Sequence, residues 1–163
     1  MEIEIAARAS ITKTVIETCV ELFKKELKLQ NSKYSLVILT DRGMSKRDGC
    51  RGSVFQVGPK ALGMVIDTAM SIENLIITIA HEMVHVKQYI MNETDDVLSR
   101  WKNKKIDQNK VDYWNHPWEI DAYGREPGLL YKFVVTNCLW HIFEEFKNPS
   151  DPIVSIPIKW KVS

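Results

Sequence analysis

The chain has 163 residues, 45% of them apolar and 26% charged, with a net charge of +1 at neutral pH. That is an ordinary globular composition for one domain with a real core, and the near-zero charge gives no overall push toward nucleic acid or an anionic membrane. No apolar run reaches the length of a membrane span, and residues 1–10 lack the basic-then-apolar pattern of a secretory signal, so a cytoplasmic protein is expected. Cys19, Cys50 and Cys138 are far apart, odd in number and without C-x-x-C spacing, which predicts free thiols in a reducing compartment.

Residues 12–29 carry a helical pattern, with Val15, Ile16, Cys19, Val20, Phe23 and Leu27 on one face and Lys13, Glu17, Lys24, Lys25 and Lys28 mostly on the other. Residues 34–40 are apolar and partly β-branched and read as a strand. Residues 41–52, rich in Gly, Ser, Arg and Lys, read as a loop. A short strand over 53–57 is closed by Gly58-Pro59, and 62–67 is a third strand. An N-terminal helix and three short strands are therefore expected ahead of residue 70.

Residues 72–91 then form an amphipathic helix. Ser71 is its N-cap and Glu73 places a negative charge in the first turn. Ile72, Ile76, Ile79, Met83, Val86 and Ile90 recur at spacings of four and three, and Leu75, Ile77 and Ala80 widen the apolar stripe. Thr78, His81, His85 and Gln88 form a second stripe. Within this helix lies His81-Glu82-Met83-Val84-His85. Histidines four apart project from one face, so both imidazoles reach one metal ion, and Glu82 beside them can take a proton from a water on it. The competing reading is an amphipathic helix with two surface histidines. It predicts Lys and Glu on the polar face rather than histidines in the apolar heart of the helix.

Residues 92–112 are polar, with Glu93, Asp95 and Asp96 followed by Arg100, Lys102, Lys104, Lys105 and Lys110. A solvated insertion or lid with a short helix near 95–101 is expected, pinned by Trp101, Tyr113 and Trp114; a functional basic patch is the alternative. His116-Pro117-Trp118-Glu119 opens the next helix, with Pro117 at its first position, and Pro127-Gly128 breaks or kinks it. A C-terminal helix over 129–146 follows. Residues 148–163 end the single domain as a tail or edge strand, because Pro157 interrupts their alternation.

Two histidines need a third ligand, and the downstream candidates are His116, Glu119, Asp121, Glu126 and His141. Glu119 is the best of them, since small Ala122 one turn on lets its helix pack closely against the motif helix. His-Glu-x-x-His followed by Glu-x-x-Ala resembles the gluzincin class of zinc metallopeptidases, especially its smallest members. The stretch from His81 to Gln88 and Pro117-Trp118-Glu119-Ile120-Asp121-Ala122-Tyr123 also look like a small phage- or bacteria-type group related to the SprT-like proteins, in which the third ligand is typically histidine; here His116 is the match. The resemblance covers roughly 12–126 and implies an α+β, minimal zincin-like fold: an N-terminal helix, a small, mostly antiparallel three-stranded sheet, the motif helix, then a glutamate-bearing helix and a C-terminal helix. It implies one Zn²⁺ on His81, His85 and Glu119.

The expected activity is peptide-bond hydrolysis, with Glu82 as general base and a peptide or protein as substrate, added as a strand along 53–57. Tyr123, one turn after Glu119, either donates to an oxyanion or packs, and Tyr113 shares that ambiguity. Asp121 either orients a ligand histidine or is exposed. Gln88 lines the cleft, and His116 is a ligand, a substrate contact or a helix cap. His141 reads by default as an ordinary core or surface histidine. Two rival functions stay open. One is a DNA-associated protease or nucleic-acid module using 100–110, and the other is a non-catalytic zincin that binds a partner. A structural zinc site fits poorly, because no cysteine lies near the motif.

Overall fold

The computed structural model describes residues 1–7 and 10–139. The chain opens with strand β1 (Glu2–Ala6), helix α1 (Ile11–Glu26), strand β2 (Ser35–Asp41) and a short helix α2 (Met44–Asp48). A hairpin of β3 (Gly52–Gly58) and β4 (Ala61–Asp67) leads into helix α3 (Ile72–Ile90). A small second hairpin, β5 (Arg100–Trp101) and β6 (Lys104–Lys105), and two 3-10 turns precede helix α4 (Pro117–Asn137).

The fold is α+β, but the sheet differs from the expected one. It has four strands in the order β1-β2-β4-β3; β1 pairs parallel with β2, β2 parallel with β4, and β3 alone runs antiparallel, along β4. The missed strand is the alternating Glu2-Ile3-Glu4-Ile5 segment, with Ile3 and Ile5 turned partly inward. Pairing it with β2 makes α1 a β-α-β crossover, which forces the parallel arrangement. β3 is left as an edge strand.

Helices α1 and α3 cover one face of the sheet. The core between the layers is built from Ile16, Val20 and Phe23 of α1, Leu36 and Ile38 of β2, Leu62, Met64 and Ile66 of β4, and Ile76, Ile79 and Met83 of α3. Ser10 caps α1 by accepting the Lys13 amide at 3.2 Å, and Ser71 caps α3 by accepting the Asn74 amide at the same distance. Each satisfies a backbone donor that a helix start leaves unpaired.

The stretch over 41–52 holds α2 where a loop is expected. What organises it is Asp67, fully buried at the end of β4. Its carboxylate accepts the amides of Gly43, Ser45 and Ala69, each at 2.8 Å, and the Ser45 hydroxyl at 2.5 Å. Gly43 sits in the left-handed region at φ 89°, a conformation a side chain would oppose. The contacts to Gly43 and Ser45 are long-range and leave no local periodicity.

Two further expectations are corrected. Residues 95–101 form no helix; Lys102 and Asn103, at φ 43° and 70°, turn the chain into the β5–β6 hairpin. Paired positive φ values match the twist of a two-residue hairpin loop. The glutamate-bearing helix and the first part of the C-terminal helix are one continuous α4, with Pro127 inside it. A proline there removes one hydrogen bond, and the buried Leu129, Phe133 and Val134 hold the second half of α4 in the core. The expected helix beyond residue 139, His141 and the tail over 148–163 lie outside the described residues.

Candidate metal centre

Of the stripe Thr78, His81, His85 and Gln88, His85 is half-buried and the other three are buried, as is Glu82. Helix α4 packs across this side of α3. Ala122, fully buried, faces the contact, and Trp118 fills the space at the start of α4. That close approach brings Glu119, 6% exposed, to the motif histidines. Its Oε2 lies 3.3 Å from His81 Nε2 and its Oε1 3.6 Å from His85 Nε2, while the two Nε2 atoms are 3.1 Å apart. One atom from each of the three residues lies within 4.8 Å of the others. An ion bound tetrahedrally at 2.0–2.1 Å separates its ligand atoms by about 3.3 Å, so the donor set fits a single small cation.

The outward ring nitrogens are held too. His85 Nδ1 donates to Gln88 Oε1 at 2.8 Å. The Gln88 amide nitrogen then donates to the Trp118 carbonyl at 2.9 Å and to Asp121 Oδ2 at 3.2 Å. This fully buried amide therefore fixes the tautomer that leaves His85 Nε2 free, and ties that histidine to the turn carrying Glu119. His81 Nδ1 donates to Glu126 Oε2 at 3.3 Å. Asp121 thus reaches a histidine only through Gln88, and its other oxygen accepts Arg125 Nε at 3.0 Å.

Glu126 is the residue whose role the sequence reading missed. It lies seven positions after Glu119, two turns along one helix face, which a break at Pro127 obscures. Tyr113, in the 3-10 turn Tyr113–Asn115, donates its hydroxyl to Glu119 Oε2 at 2.9 Å. Tyr123 lays its ring against His81, centroids 4.5 Å apart. His116 is the N-cap of α4, its ring stacked 4.7 Å from that of Trp118 and its buried Nε2 unpartnered; it is not part of the three-residue group.

The two buried carboxylates differ in charge preference. Burial opposes the Glu119 charge, but His81, His85 and the Tyr113 hydroxyl outweigh it and bring its pKa down to about 2. Burial dominates at Glu82 and raises its pKa, partly offset by His85 and His81. At His81 burial also disfavours charge, yet Glu119 and Glu126 together push its pKa up to about 9. The carboxylates around the two histidines thus stabilise positive charge, and a metal ion bound there would displace the proton that His81 otherwise holds.

No family model, curated protein or solved structure matches this chain.

Proposed function

We propose that the protein is a zinc-dependent peptidase with a minimal zincin-like architecture, in which His81, His85 and Glu119 hold one Zn²⁺. The observation that carries this reading is the meeting of Glu119 with both motif histidines beside a buried glutamate that makes no hydrogen bond among the described residues. Two imidazoles and one carboxylate are a donor set that leaves a fourth position open on zinc. When bound there, zinc supplies Lewis acidity, lowering the pKa of water to about 7 and polarising a carbonyl.

The chain's own residues do the rest. Glu82 takes a proton from the attacking water and passes it to the leaving amine, a task suited to a carboxylate whose proton affinity burial has raised. Gln88 and Glu126 hold the histidines, and Tyr113 holds Glu119. With the Tyr113 proton engaged by Glu119, Tyr123, whose hydroxyl neighbours that of Tyr113, is the phenol whose proton is left for an oxyanion. An extended peptide adds to the free edge of β3, last in the sheet order.

The nucleic-acid alternative has less support. Arg100 is held by Asn92 at 2.9 Å, Lys110 lies 3.4 Å from Asp107 and Lys102 3.7 Å from Glu93, so three of the five cations of this segment have partners, although Lys102, Lys104, Lys105 and Lys110 are all exposed. No helix among the described residues is long and apolar enough to cross a membrane.

The test is incubation of the zinc-loaded protein with an unfolded protein such as casein. Cleavage that a chelator stops, zinc restores and Glu82→Gln abolishes is expected. Equal cleavage by Glu82→Gln would remove the general base, and no cleavage by wild type would remove the peptidase.

A further inference from the structure

Gly52 opens β3, thirty positions before Glu82, and its backbone meets the Glu82 side chain. A Cβ built on Gly52 would lie 2.6 Å from Glu82 Oε1, 2.7 Å from its Cγ and 2.8 Å from its Cδ. The φ of Gly52 is not in the left-handed region, so space rather than backbone conformation requires a glycine here. Neither partner has an easy retreat. Gly52 is in register with Ile66, and the neighbouring Arg51 carbonyl accepts the Asp67 amide at 2.9 Å, so the start of β3 is fixed to β4. Glu82 is 5% exposed, so its side chain has little open space to move into.

We propose that Gly52 is a positioning residue for Glu82: the bare backbone at the start of β3 forms the wall against which the carboxylate rests, and any side chain there moves the carboxylate off its place beside His81 and His85. This rests on the metallopeptidase reading above, and it names the element that sets the reach of the general base. The sheet, through β4 and Asp67, thereby controls the chemistry of α3. A methyl at this position has to displace a carboxylate by more than half an ångström, and misplacements of about 1 Å cost on the order of 100-fold in rate.

The test compares Gly52→Ala with wild type and Glu82→Gln, each as the full chain loaded with Co²⁺ and, separately, Zn²⁺. Gly52→Ala is expected to bind one metal per chain, since it touches no ligand. Its Co²⁺ visible absorption should depart from wild type in the same sense as that of Glu82→Gln, and casein turnover should fall about 100-fold with little change in KM. The spectrum decides where hydrolysis is too slow to read. A wild-type spectrum and turnover in Gly52→Ala overturns the proposal while leaving the metal site standing. Absence of metal from wild type overturns both. If Gly52→Ala does not fold, Gly52→Ala/Glu82→Ala decides: truncation removes all three clashing atoms, so the double variant should fold like Glu82→Ala. A double variant that stays unfolded shows that the glycine serves something else and overturns the assignment.

Discussion

Two carboxylates of the β4–α3 unit are buried, one at the end of β4 and one midway along α3, and the chain treats them in opposite ways. Asp67, at the end of β4, is surrounded by four donors that tie α2 and the following turn to the sheet. Its pKa is held well below the usual carboxylate range, first by the Ser45 hydroxyl and then by the amides of Ala69, Ser45 and Gly43. Glu82, deeper along α3, is buried beside two histidines with its charge opposed by burial and, among the described residues, no donor hydrogen-bonded to its carboxylate. A buried carboxylate with its lone pairs occupied holds a fold together. One with them left open retains its affinity for a proton and is the one able to do chemistry.

Substitutions at the two carboxylates should therefore separate cleanly. The largest expected effect is at Glu82. Glu82→Gln should lower hydrolysis by about 10²–10⁴-fold while one metal per chain remains, measured by turnover beside elemental analysis. Loss of metal in that variant would instead make Glu82 part of the binding set.

Next in size is Gln88. Gln88→Ala frees His85 Nδ1 and cuts the link to α4, so metal affinity should fall about 10–100-fold in a chelator competition. An unchanged affinity would mean that the apolar packing of α3 suffices to orient His85. Glu126→Gln keeps an acceptor for His81 Nδ1 but removes the charge, and its loss should lie at the lower end of the same range, about tenfold.

Asp67→Asn should leave metal affinity unchanged and lower thermal stability, since an amide cannot accept all four donors. The pH dependence has a definite sign. A carboxylate whose folded pKa is depressed contributes its stability above the unfolded value of about 3.9, and that contribution is lost as pH falls through the folded pKa. Wild type should therefore lose stability on acidification below pH 4, and Asp67→Asn should show a shallower acid limb, read from thermal melts between pH 2 and pH 7. A variant whose acid limb matches that of wild type would place the acid-sensitive contact elsewhere.

The same contrast explains what was legible in the sequence. The motif helix was, because its signals are local: a capping serine, isoleucines at helical spacing, and histidines one turn apart. Glu119 was legible through Ala122, whose small side chain marks a close helix crossing. The network around Asp67 was not, since its donors come from Gly43, Ser45 and Ala69, more than twenty residues apart in sequence for two of them. The short β1 was overlooked although Ile3 and Ile5 alternate with glutamates; five residues alone are weak evidence until β2 is there to pair with them. The helix expected over 95–101 failed because the hairpin depends on positive φ at Lys102 and Asn103, and a Lys-Asn pair lacks the glycine that usually announces such a turn. Gly52 was invisible for a related reason: its meaning lies in a side chain from another element.

The most direct test of the central claim is metal content after dialysis against a weak chelator, wild type beside Glu119→Ala. One zinc per chain in wild type and its loss in the variant is the predicted result. Zinc retained equally by Glu119→Ala would move the third ligand off α4's first turn, to His116 first, and a wild type that takes up no metal even when zinc is supplied would contradict the account.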